Sequence, residues 1–160
     1  MVTDNIIIEN AKILFRNFEG RETTYNRKGQ KNFCVIIDDE ELAQKLMADG
    51  WNIRTMINSR NPDGDPVFYL QVAVKFENIP PKIVMITKRK KTELDDESIS
   101  CLDYAEIKNV DLTIRPYNWV MQEGTKNEKS GVKAYLRSMY VTIEEDEFAA
   151  KYAEEEYPEE

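Results

Sequence analysis

Alternation at a period of two constrains this chain more than any other feature. Within residues 67–76, Phe68, Leu70, Val72, Val74 and Phe76 fall on one face, and Tyr69, Gln71, Ala73 and Lys75 on the other. Successive side chains of a strand point to opposite sides of its sheet, so such a run fits a half-buried strand. The same period recurs over 110–121, where Val110, Leu112 and Ile114 oppose Thr113, Arg115, Tyr117 and Trp119. Over 132–143, Lys133, Tyr135 and Arg137 share a face. Apolar β-rich runs predict further strands over 6–18, 31–37, 51–57 and 82–88.

Helical signals are fewer. Asp38 or Asp39 can cap a helix over 38–50, with Glu40 and Glu41 favouring its N-terminal dipole. Leu42, Leu46 and Met47 form its apolar stripe and Gly50 ends it. A short helix is predicted over 96–104. An amphipathic one is predicted over 144–153, with Phe148 and Tyr152 on one side, before a disordered remainder. Many strands and two or three short helices predict an antiparallel barrel or a β-rich α+β domain. The expected division is one domain over 1–143 and an acidic helix and tail over 144–160; a length of 160 residues leaves little room for a second core.

Charge sharpens that division. The net charge of −8 argues at first against a polyanionic partner. Yet residues 1–140 hold 21 acids and 21 bases, whereas 141–160 hold nine acids and one base, Lys151. The body is therefore neutral and free to present a basic face. The end is a polyanion, read either as an interaction tail or as a merely solubilising one.

Composition excludes much enzymology. Histidine is absent and there are two cysteines, Cys34 and Cys101. That removes histidine general bases, the usual histidine-bearing zinc sites and a four-thiolate zinc site. Cys34 lies in an apolar run and reads as a buried free thiol in a reducing compartment. No GxxxxGK[ST] or GxGxxG loop is present to cradle a phosphate, and no cofactor is expected. No apolar run is long enough to span a bilayer, and the N-terminus lacks a signal-peptide pattern, so a cytoplasmic location without membrane contact is expected.

The functional signal is the interleaving of cations with aromatic rings. Arg115, Tyr117 and Trp119 repeat every two residues, as do Lys133, Tyr135 and Arg137. Unstacked bases need flat π-faces, and their backbone needs cations to replace counterions, so this surface suits single-stranded DNA. The competing reading makes the rings ordinary half-buried sheet residues. Lys88, Arg89, Lys90 and Lys91, together with Arg16, Arg21, Tyr25, Arg27, Lys28 and Lys31, are expected to line the same groove. An acidic tail could occupy that groove when DNA is absent, or offer Tyr152 and Tyr157 to replication partners.

Enzymatic readings are weaker. Asp95, Asp96, Glu97 and Asp103 could hold Mg²⁺ for a nuclease. Pro62-Asp63 with Glu106-Ile107-Lys108 faintly resembles a PD…ExK pattern, but its spacing is wide and turn chemistry explains the 61–66 stretch. No catalytic residue is assigned.

The stretches AKILFRNFEG, YLQVAVKFENIPPKI, VDLTIRPYNW and GVKAYLRSMYVTIEEDEFAAKYAEEE resemble small single-stranded DNA-binding proteins encoded by bacteriophages. The resemblance runs along most of the chain. It implies an OB-like barrel that coats single strands during phage replication or recombination in the cytoplasm of a bacterial host, and an acidic end that contacts other proteins. It places DNA contacts on Arg115, Tyr117, Trp119, Lys133, Tyr135 and Arg137. The end, Tyr157-Pro158-Glu159-Glu160, lacks the hydrophobic tip of bacterial single-strand binders. A homo-oligomer stays open, and the alternative function is a phage-type module that binds or inhibits a host enzyme.

Overall fold

A computed structural model describes residues 1–57, 60 and 62–144. Nine strands are hydrogen-bonded into one sheet: β1 (Ile6–Ile8), β2 (Ile13–Asn17), β3 (Lys31–Ile37), β4 (Ile53–Met56), β5 (Val67–Val74), β6 (Lys82–Ile86), β7 (Lys91–Leu94), β8 (Ile107–Met121) and β9 (Lys129–Ile143). The main path runs β1-β8-β9-β5-β3-β2, with β4 beside β5 and the β6–β7 hairpin beside β9. β8 and β9 form a long antiparallel hairpin, but β9 meets β5 and β6 in parallel. The sheet is therefore mixed, not wholly antiparallel as the sequence suggested. β1 and β2 are not paired with each other among the described residues, so the sheet is open along that path.

The expected strand over 6–18 divides in two. Asn10 takes a left-handed φ of 51°, and its amide donates to Asp111 Oδ1 at 2.9 Å. β1 then pairs with β8, and β2 with β3, at opposite ends of the path. The five steps from Ile8 to Ile13 reach at most about 18 Å. Strands laid flat would put β1 and β2 about 24 Å apart. The sheet must therefore curl, which encloses its apolar side.

The helix α1 (Glu40–Asp49) forms where capping demanded it. Asp39 accepts from the amides of Glu41 and Leu42, and Gly50, at φ 102°, returns its amide to the Leu46 and Met47 carbonyls. A 3₁₀ segment, Ile99–Asp103, occupies the place of the second expected helix. The third, together with the acidic tail from residue 145 onward, lies outside the described residues. β7 was not foreseen: its sequence, KTEL, is polar, and pairing with β6 makes it a strand.

Burial follows the alternation. Phe33, Val35 and Ile37 of β3, Leu70, Val72 and Val74 of β5, Val110, Leu112 and Ile114 of β8, and Val132, Ala134 and Leu136 of β9 join one core. Phe18 and Phe33 meet at 5.4 Å between ring centroids inside it. A bulge at Arg137 shifts the pairing, so inward residues resume at Met139 and Val141. The opposite face of these strands is left to polar and aromatic side chains.

Candidate nucleic-acid interface

The outward face of the β8–β9 hairpin gathers the rings and cations that alternate in sequence. Arg115 pairs with Tyr135 and Tyr117 with Lys133 across the two strands. Such cross-strand partners lie on the same side, within reach of one another. The Tyr135 ring consequently sits at the centre of a cluster. Tyr117 meets it edge-on at 5.6 Å, the Arg115 guanidinium lies 4.7 Å from its centroid, and Lys133 Nζ lies 5.2 Å from it. Both cations are at cation–π distance. Among the described residues, Arg115 Nε has no hydrogen-bond acceptor and no carboxylate pairs this guanidinium.

Trp119 completes the row by a different device. It faces Gly131 on β9, where a Cβ would fall 2.8 Å from indole Cζ2 and 3.0 Å from Cε2. The indole thus lies directly on bare backbone. Only glycine leaves that space without moving the ring.

Beside this cluster runs a groove of about 930 Å³. Trp119, Lys133 and Tyr135 line one side, and Gln71 and Ala73 of β5, with Lys75 just past its end, lie along it. Tyr25, which is 96% exposed on the loop before β3, lines it as well. The two strands that form the groove are paired in the sheet through a single residue pair, Ala73 with Tyr135. Lys31 also lines it, in contact with Asp96 through both its carboxylate and its carbonyl, and lies 5.7 Å from the Phe76 ring.

Not every expected contact residue is in this place. Arg16 donates to the carbonyls of Leu102 and Ala105 at 2.7 and 2.8 Å, tying β2 to the segment before β8, and it does not line the groove. Arg27 lies in a separate, shallower depression beside Tyr25, and Lys28 is exposed on the same loop. Lys88, Arg89 and Lys90 form the turn between β6 and β7, where Thr87 bonds Lys90, and Lys91 begins β7. Ile86 pairs with Thr142, seven residues beyond Tyr135 on β9. That turn is therefore roughly 23 Å along the strand from the aromatic cluster. Arg137 sits exposed at the bulge, two residues past Tyr135. Gln71 and Lys75 were not singled out from sequence; the alternation placed both on one face, but only the long-range pairing of β5 with β9 puts that face next to Tyr135.

Three of the four clustered carboxylates of the nuclease reading, Asp95, Asp96 and Asp103, are engaged otherwise. Asp103 accepts from the amides of Phe18 and Glu19, and Asp96 contacts Lys31. The Ser98 amide and hydroxyl hold the Asp95 carboxyl below its usual pKa. Among the described residues, no group of three or more acidic or cysteine side chains could hold a metal ion. Among them also, no helix is long and apolar enough to cross a membrane.

Comparison with known proteins places this arrangement. The single-stranded DNA-binding protein from bacteriophage Enc34, in complex with ssDNA, is similar in fold at a TM-score of 0.54 and 12% identity, over 89% of this chain and 88% of that one. The same bacteriophage protein on its own gives 0.51 and 13%, over 89% and 82%. No curated protein matches. The family model described as "Putative phage ssDNA-binding domain" matches residues 1–160. The chain belongs to this family of phage ssDNA-binding domains.

Proposed function

We infer that the chain coats single-stranded DNA by laying bases on Tyr135, Tyr117 and Trp119 while Arg115, Lys133 and Lys75 neutralise the backbone. The carrying observation is the Tyr135 ring, edge-on to Tyr117 and flanked by two cations that no carboxylate pairs among the described residues. Tyr117 is 51% exposed, which a purely structural ring in a sheet would not need. A duplex hides its π-faces, so the surface selects single strands. The Enc34 relative whose structure includes ssDNA supports the same use of the fold. An OB-like closure of the curled sheet, and a role in phage replication or recombination, belong to this reading.

A titration with oligo-dT and with duplex DNA of equal length tests it. Oligo-dT is expected to bind and to quench Trp119, the duplex to bind far less. With three cations, Arg115, Lys133 and Lys75, that no carboxylate pairs among the described residues, log K should fall against log salt with a slope of about −2. Absence of binding at low salt would sink the reading and favour a protein-binding module instead.

The acidic segment adds a regulatory element to the proposal. A tethered polyanion with nine acids against one base competes with DNA for the same cations. A chain cut to residues 1–143 is expected to bind oligo-dT more tightly than the full chain at low salt. An unchanged or weaker Kd would remove the tail from the mechanism.

A further inference from the structure

The outward face carries a second aromatic cluster that the hairpin does not explain. Phe15, at a bulge in β2, holds φ at 53° and is 63% exposed. Left-handed backbone at a bulky residue costs about 1–3 kcal/mol and persists where something else requires it. Here the strain brings no burial. What it brings is a ring edge-on to Tyr69, 6.2 Å between centroids and across the intervening strand β3.

The register places this pair on the face already described. Tyr69, Gln71 and Ala73 alternate along β5, and Ala73 is the residue paired with Tyr135. Arg54 of β4 is directly opposite Tyr69, and Cys34 of β3 is opposite Gln71. Arg54 is exposed and close enough to pull down the Cys34 thiol, which burial pushes up to about 11. An exposed ring, a half-buried one and a cation thus repeat, on β2, β5 and β4, the chemistry of the β8–β9 cluster. The four residues from Ala73 to Tyr69 span about 13 Å.

We propose that Phe15 and Tyr69, with Arg54, form a second base-stacking station, so that one DNA strand runs from Trp119 and Tyr135 across Gln71 to Phe15. This rests on the single-strand reading above and extends its track beyond the groove. OB-type domains cover about 4–16 nucleotides, which accommodates both stations. Gln71, exposed between them, offers an amide to whichever base bridges the gap.

The test uses the full chain and two oligo-dT lengths, about 4 and about 12 nucleotides. Phe15→Gly removes the ring while relieving the backbone, since glycine accepts that φ without penalty. It is expected to weaken the longer oligonucleotide about 10-fold and leave the shorter one, which the hairpin cluster holds alone, within about twofold. Phe15→Trp should keep the longer oligonucleotide's affinity and cross-link to thymine under ultraviolet light. Unchanged affinity of Phe15→Gly for the longer oligonucleotide, or equal loss for both lengths, would overturn the second station. Failure of the unaltered chain to bind either length would instead overturn the single-strand reading itself.

Discussion

Tyr135→Ala is expected to weaken oligo-dT binding by about 5- to 150-fold, the effect of losing one stacked base worth about 1–3 kcal/mol. The effect should be large because this ring is shared. Tyr117, Arg115 and Lys133 all take their positions against it, so alanine removes one platform and loosens the other. Stability should change much less, because each cation–π contact at an exposed site is worth about 0.5–1 kcal/mol. For a chain of 160 residues that lowers Tm by only a few degrees, at about 2–4 °C per kcal/mol. Tyr135→Phe, which keeps the ring, should bind within about twofold of the unaltered chain if stacking dominates. Fluorescence anisotropy with labelled oligo-dT measures both variants. Full affinity in Tyr135→Ala would mean that the cluster lies off the DNA path.

The second large effect concerns the other side of the same sheet. Phe33 is fully buried against Phe18, while its neighbours Asn32 and Cys34 turn to the outward face. Phe33→Ala is expected to cost about 3–5 kcal/mol, the loss of an aromatic side chain plus the cavity left behind. Thermal melting should register a fall in Tm of about 6–20 °C. At temperatures where the variant is still folded, its affinity for oligo-dT should match the unaltered chain. A cost below about 1 kcal/mol would show that the core does not close around this ring.

Much of this was legible because local rules and tertiary structure agree. Asp39 and Gly50 bound α1 as capping chemistry predicts, and the alternation of 110–121 and 132–143 separates core from outward face in the hairpin as observed. Even the bulge at Arg137 leaves Lys133, Tyr135 and Arg137 on the outward side. What could not be read is neighbourhood. A run of basic residues at 88–91 and an arginine at 16 carry the same charge wherever the chain takes them. The parallel pairing of β6 with β9 sends the first to the far end of the strand, and the Leu102 and Ala105 carbonyls claim the second. Phe15 was hidden for another reason: in the apolar stretch Ile13-Leu14-Phe15 nothing marks a left-handed residue, since bulky side chains rarely take that conformation. Glu9-Asn10, by contrast, was a usable turn signal inside the run that was taken as one strand.

The lone parallel pair between Ala73 and Tyr135 has a mechanical consequence. Elsewhere along its length β9 is laced to β8 by a long ladder and to β6 by five residue pairs, whereas β5 and β9 are joined at one point. The curled sheet therefore has a slit, and the proposed strand of DNA would lie across it. A ligand gripping both lips acts as a suture: it holds together two edges that the backbone itself ties only here and where the Val132 amide donates to the Gly50 carbonyl. Occupancy and rigidity would then rise together.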